Sequence, residues 1–164
     1  MNRTLNAALI TVLVLVGTIW IVWRFVLASH YAGMVPAELE IADTVAVHED
    51  FTPFSTEGCG VAVFRMSQAL KTRLAADGIA ALKNATQARG NEGPYYRYSA
   101  WAKTPVPPVW VSEGSWIMCP DIGRGLHRRI VDAARKGGAF FATLPEGELI
   151  VIPELELIVF SSNG

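Results

Sequence analysis

The stretch Ala139–Phe160, AFFATLPEGELIVIPELELIVF, decides the fold class. Pro145-Glu146-Gly147 and Pro153-Glu154 divide it into three short runs, Ala139–Leu144, Leu149–Ile152 and Leu157–Phe160. Short apolar runs bounded by turn residues read as a meander of antiparallel strands. Ile150-Val151-Ile152 and Ile158-Val159-Phe160 are apolar at every position, so something must cover both faces of these strands.

Helices upstream are the natural cover. Gly123–Lys136 is expected to be helical, with Leu126, Ile130, Ala133 and Ala134 on its apolar side and Gly137-Gly138 stopping it. Val63, Met66, Leu70 and Leu74 recur at spacings of three and four, which predicts another helix over Gly60–Ala76, ended by Asp77-Gly78. Ser55 or Thr56 would cap it, with Glu57 near its positive end. Ile79–Ala85 falls off that stripe and reads as a separate short element. Strands are expected at Tyr95–Lys103, Trp110–Ser112 and Ser115–Cys119, around a polyproline stretch at Thr104–Pro108. Two main helices packed on a mainly antiparallel sheet make an α+β domain.

A different kind of segment precedes the domain. Leu5–Trp23 is nineteen residues without a charge. Extended to Leu27 as a helix, it reaches roughly 30 Å, the thickness of a bilayer core. Trp20, Trp23 and Tyr31 fall at the headgroup level of one end, and Arg24 is near enough to that end to lift its guanidinium into the interface. The segment 5–28 is therefore expected to be a single transmembrane anchor. A cleaved signal peptide competes, because Val26-Leu27-Ala28 has the small-residue spacing of a cleavage site, but the apolar run is too long for the usual signal. Residues 29–54 read as a juxtamembrane connector with a short strand at Ile41–Val47, and residues 55–164 as the globular domain.

Basic residues are tied at the two ends of the span, so the cysteines set the orientation. Cys59 and Cys119 are the only two. In an oxidising compartment they would form a disulfide. The expectation is a cell-membrane (inner-membrane) protein with a cytoplasmic N-terminus and an extracytoplasmic domain. Inert thiols are one alternative. Another is a thiol nucleophile: Cys59 in Glu57-Gly58-Cys59-Gly60 would sit at a helix N-terminus, where its pKa falls, with His48 as the best base among His30, His48 and His127.

Charge is unevenly distributed. Six acidic residues and no Lys or Arg lie between Glu38 and Glu57, twelve basic residues face five acidic ones between Arg65 and Lys136, and the tail carries four glutamates. The middle segment should fold against its acidic flanks or present a basic face. No single basic field of the kind that binds nucleic acid is present. Arg124, Arg128 and Arg135 fall within about 40° of one another on a helical wheel. That stripe suits an acidic partner, as an aromatic platform at Tyr98 and Trp101 would suit a peptide or sugar. Gly123-Arg124-Gly125 before a helix is too short for a dinucleotide loop, and the glutamates of the tail lack calcium-loop spacing. No cofactor or metal is implied. The reading that follows is a membrane-anchored binding or assembly module, with the lipid bilayer and another envelope protein as partners. The alternative is a small envelope thiol hydrolase using Cys59 and His48.

Overall fold

A computed structural model of the chain describes residues 2–50, 58–112, 115, 117 and 122–163. Its first element, α1 (Asn2–Met34), is one uninterrupted helix about 50 Å long. Within it, Ala8–Met34 has a mean hydropathy of 2.3, long and apolar enough to cross a membrane. The helix does not stop where the apolar run stops. Leu9 to Val26 are exposed, whereas Leu27, Ala28, Ala32 and Met34 pack against the domain, and Tyr31 and Val35 are buried in it.

Six antiparallel strands form the sheet: β1 (Ile41–Asp50), β2 (Cys59–Met66), β3 (Ala102–Lys103), β4 (Phe140–Leu144), β5 (Gly147–Ile152) and β6 (Leu157–Asn163). Their order is β1-β2-β6-β5-β4-β3. The expected meander is present as β4, β5 and β6, paired in unbroken register from Phe140↔Val151 to Ile152↔Leu157. Both faces of its central strands are covered, as their composition demands. One face, carrying Phe64, Leu149, Val151 and Phe160, packs on the end of α1 and on α2 (Gln68–Asp77) through Leu70 and Leu74. The other, carrying Val63, Ile150, Ile152 and Val159, packs on α3 (Arg124–Arg135) through Ile130, Val131 and Ala134. The α+β class is shown, with the sheet as the middle of three layers.

The segment 60–76 departs from expectation. Its first part is strand β2, and only Gln68–Asp77 is helical. Spacings of three and four among apolar residues also occur in a strand whose every residue is buried, and Cys59–Phe64 is buried throughout. Composition favours the strand, because Val61, Val63 and Phe64 fit a pleated surface better than a helix. The helix takes its cap from Ser67, whose hydroxyl accepts from Leu70 N–H at 3.0 Å. It ends at Gly78, whose positive φ of 56° suits glycine, as Asp77-Gly78 implied. The expected caps Ser55 and Thr56 lie outside the described residues.

Two aromatic stretches also differ. Pro94–Tyr96 and Pro108–Val111 are single 3-10 turns, leaving only Ala102–Lys103 of Tyr95–Ser112 as strand, and most of Ser115–Cys119 lies outside the described residues. A proline at the first position of each turn fixes φ and donates no N–H to a ladder. The expected connector contains ten residues of β1, an edge strand with two register shifts and outward acids at Asp43, Glu49 and Asp50. Bulges and charges of this kind stop an edge from pairing with other chains. The charge blocks meet as well: Lys71 bonds Glu156, and Arg73 bonds Glu40 and the Glu38 carbonyl.

Tyr31 fixes how α1 lies on the sheet. Its ring is 3 % exposed and lies 6.1 Å from that of Phe160, so protein rather than headgroups surrounds it. Its hydroxyl occupies the space above Gly60, where a Cβ would fall 1.6 Å away. Gly60→Ala should therefore cost about 1–3 kcal/mol in detergent-solubilised chain. Adding Tyr31→Ala to that variant should cost less than Tyr31→Ala alone, a non-additivity readable from a double-mutant cycle of denaturation midpoints.

Candidate functional site

Three places on the domain carry polar chemistry, and α3 is the first. Its buried stripe leaves Arg124, Arg128, Arg129 and Lys136 exposed on the outer side. None of these four has a carboxylate within ion-pair distance among the described residues. Arg135, expected to complete the stripe, instead donates to the Val111 carbonyl at 3.0 Å and ties α3 to the neighbouring turn. A cavity of about 220 Å³ beside the helix alternates Arg129 and Lys136 with Asp132 and Glu154, so it has no net preference for anions. Arg124 and Arg128 lie outside this mixed-charge cavity. Gly123 stands at the N-cap with φ 88°.

The second place is the polar end of the sheet. Cys59 opens strand β2 and is 6 % exposed, so it does not stand at a helix N-terminus. His48 sits opposite Val61, not opposite Cys59, which pairs with Asp50. His48 is thus a diagonal neighbour of Cys59 on the same face of the sheet, about 7–8 Å away between backbones. Alternation puts Cys59 on the same face as Val61 and Val63, whose core includes Ile117. Cys119 lies outside the described residues.

Along the same register row, Thr143, Glu148 and Ser161 stand side by side on β4, β5 and β6. Glu148, one of the tail glutamates beside a hairpin turn, is 7 % exposed. Burial pushes its carboxyl up from 4.5 to about 7, against the lowering effect of the Ser161 hydroxyl that donates to it. Nothing in Gly147-Glu148-Leu149 announces this. Only the period-two placement of Glu148 with Ile150 and Ile152 could have found it.

The aromatic platform resolves into core and rim. Tyr98 is 4 % exposed and donates its hydroxyl to the Met34 carbonyl at 2.7 Å, which removes it from any partner surface. Trp101 packs against the first core and donates its indole N–H to the Ala85 carbonyl at 2.8 Å. Both rings brace the segment after α2 against the end of α1. Trp20 and Trp23 remain exposed on the span. Arg24 lies 5.9 Å from the Trp20 ring centre and donates to the Val47 carbonyl at 2.6 Å, so its guanidinium meets β1.

The third place went unrecognised in the sequence. Where α1 enters the domain, a cleft of about 540 Å³ lies between Phe25, Val26 and His30 on the helix and Gly90, Asn91 and Tyr96 on the facing loop. A second cleft of about 210 Å³ shares His30, Met34 and Tyr96 and continues to Tyr95, Leu144 and Glu146. Hydrogen bonding to the Glu146 carboxylate pushes the Tyr95 phenol up to about 12. The aromatic cluster was visible in the sequence, but its meeting with Glu146, some fifty residues away, is a product of the fold.

Among the described residues no three His, Cys, Asp or Glu side chains gather as a metal site needs. No family model, curated protein or solved structure matches the chain.

The buried carboxylate has a measurable consequence. A carboxyl whose folded pKa is raised stabilises the fold below its unfolded value, and that stability is lost as pH rises from 4.5 through about 7. The loss should approach about 3 kcal/mol. Glu148→Gln keeps the contact with Ser161 without the charge. It should flatten the pH profile of the denaturation midpoint and make the variant the more stable protein above pH 7.

Proposed function

We propose that this chain is a single-pass membrane-anchored docking module whose domain binds an acidic partner protein through α3. The observation that carries the reading is the face of α3 itself: Arg124 and Arg128 are exposed and, among the described residues, have no carboxylate within ion-pair distance, while the opposite face is locked into the core by Ile130, Val131 and Ala134. A rigid helix presenting guanidinium groups suits bidentate recognition of carboxylates.

Retention of the span is part of the proposal. The residues of the possible cleavage site lie within α1, six residues before its end, with Leu27 and Ala28 packed against the core. Arg24, four residues before Ala28, is bonded to β1. The domain is proposed to lie outside the cytoplasm, with the N-terminus inside, and Cys59 to pair with Cys119. In support, Cys59 faces the core that holds Ile117, two residues from Cys119. A loop of about 60 residues closed in this way would add ~4 kcal/mol in the chain-entropy account.

Two measurements test these points. Replacing Arg124 and Arg128 with Glu should abolish co-purification of a discrete partner at low salt and leave the denaturation midpoint within about 0.5 kcal/mol, since acids suit the first turn of a helix. Arg135 is left intact because it holds the Val111 carbonyl. Unchanged partners would rule out this surface. In intact cells, an impermeant maleimide should label the cysteines only after reduction. Labelling only after lysis would reverse the topology, and rapid labelling without reductant would indicate a reactive external thiol.

A further inference from the structure

The two clefts where α1 meets the domain form one groove, joined along His30, Met34 and Tyr96. One end is apolar and belongs to the span: Phe25 and Val26 are 74 % and 54 % exposed. The other end is Glu146 beside Tyr95, with the Tyr95 and Tyr96 rings edge to face at 5.2 Å and 80°. Between them, Ser29, His30 and Asn91 bring hydrogen-bonding groups to the lining. We propose that this groove holds a phospholipid with a primary-ammonium headgroup of the ethanolamine type, its acyl chains lying on Phe25 and Val26. The assignment rests on the proposal that α1 is a retained span.

The order of chemistry along the groove matches the order along such a lipid. Acyl chain meets Phe25 and Val26, phosphate meets the donors of the middle, and ammonium meets a carboxylate and two aromatic rings. A cation is attracted both by the negative face of a tyrosine ring and by Glu146. A primary ammonium also donates hydrogen bonds that Glu146 accepts, which a quaternary choline cannot do. An anionic headgroup would bring like charge against Glu146.

The groove is rigid before anything binds. Gln87 donates its side-chain amide to the carbonyls of Asn91 at 2.7 Å, Gly93 at 3.2 Å and Tyr96 at 3.1 Å, and so fixes the loop. Gly90 donates its N–H to the Gly33 carbonyl at 2.9 Å, and the two backbones touch. Arg89 adds bonds to the carbonyls of Val35 and Pro36. A preformed site loses less entropy on binding than one that must be ordered.

The test uses the full chain extracted in mild detergent from vesicles holding equal parts of phosphatidylethanolamine, phosphatidylcholine and phosphatidylglycerol. Native mass spectrometry counts the lipid retained as detergent is stripped. The expected result is preferential retention of one phosphatidylethanolamine. Glu146→Gln should reduce that preference about tenfold, Tyr95→Ala should do the same, and Arg124→Glu should leave it unchanged. Equal retention of the three lipids would overturn the assignment in favour of an ordinary annular shell. A lipid-free dimer would overturn it in favour of a second copy in the groove. The same spectrum gives the mass of the chain. Loss of residues 1–28 would overturn the anchor and the lipid site together, whereas an intact chain with unselective lipid would overturn the lipid site alone.

Discussion

The seat of Tyr31 over Gly60 is the contact on which the arrangement depends. A helix that leaves a bilayer ordinarily ends or frays near the headgroups, because its last carbonyls need partners. Here the final turns of α1 are taken up by the domain: Tyr31 lies on the sheet, the Met34 carbonyl accepts from Tyr98, and Val35 is fully buried. Leu39 follows in the same core and leads into β1. Each fully buried aliphatic side chain adds about 1.5–3 kcal/mol. The helix end is thus a structural part of the domain as well as its stalk.

Around this seat, the two faces of the sheet divide the tasks. The α1 face carries the junction and its groove. The α3 face carries the exposed arginines and the polar row of Thr143 with the buried Glu148 and Ser161. The uneven charge of the sequence is used in both of the ways it permitted. Lys71 and Arg73 fold back onto Glu156 and Glu40 of the acidic flanks, while Arg124 and Arg128 point outward.

What was legible in the sequence was what depends on local composition. The span, the meander, α3 and the end of α2 at Gly78 followed from hydropathy, turn residues and periodicity. The strand over Cys59–Met66 did not, because full burial on two faces erases the alternation that separates strand from helix. That single misreading also placed Cys59 at a helix terminus, where it does not stand. The aromatic residues were recognised as a group but not sorted: Tyr98 and Trp101 serve the core, and Tyr95 and Tyr96 line the groove. The sorting depends on Met34, Ala85 and Glu146, distant partners that no local pattern indicates.

An unbroken α1 also determines how the domain can move. A domain on a flexible linker sweeps a wide cap of space above the membrane and meets partners at many heights and angles. A domain fused to its span through Arg24, Tyr31 and Val35 has no such swivel. The helix acts as an axle. If α1 is the retained span proposed above, turning or tilting it in a bilayer would carry the arginines of α3 along a narrow ring at fixed height. The proposed partner would have to reach that ring, and whatever grips or rotates the span would steer that face directly.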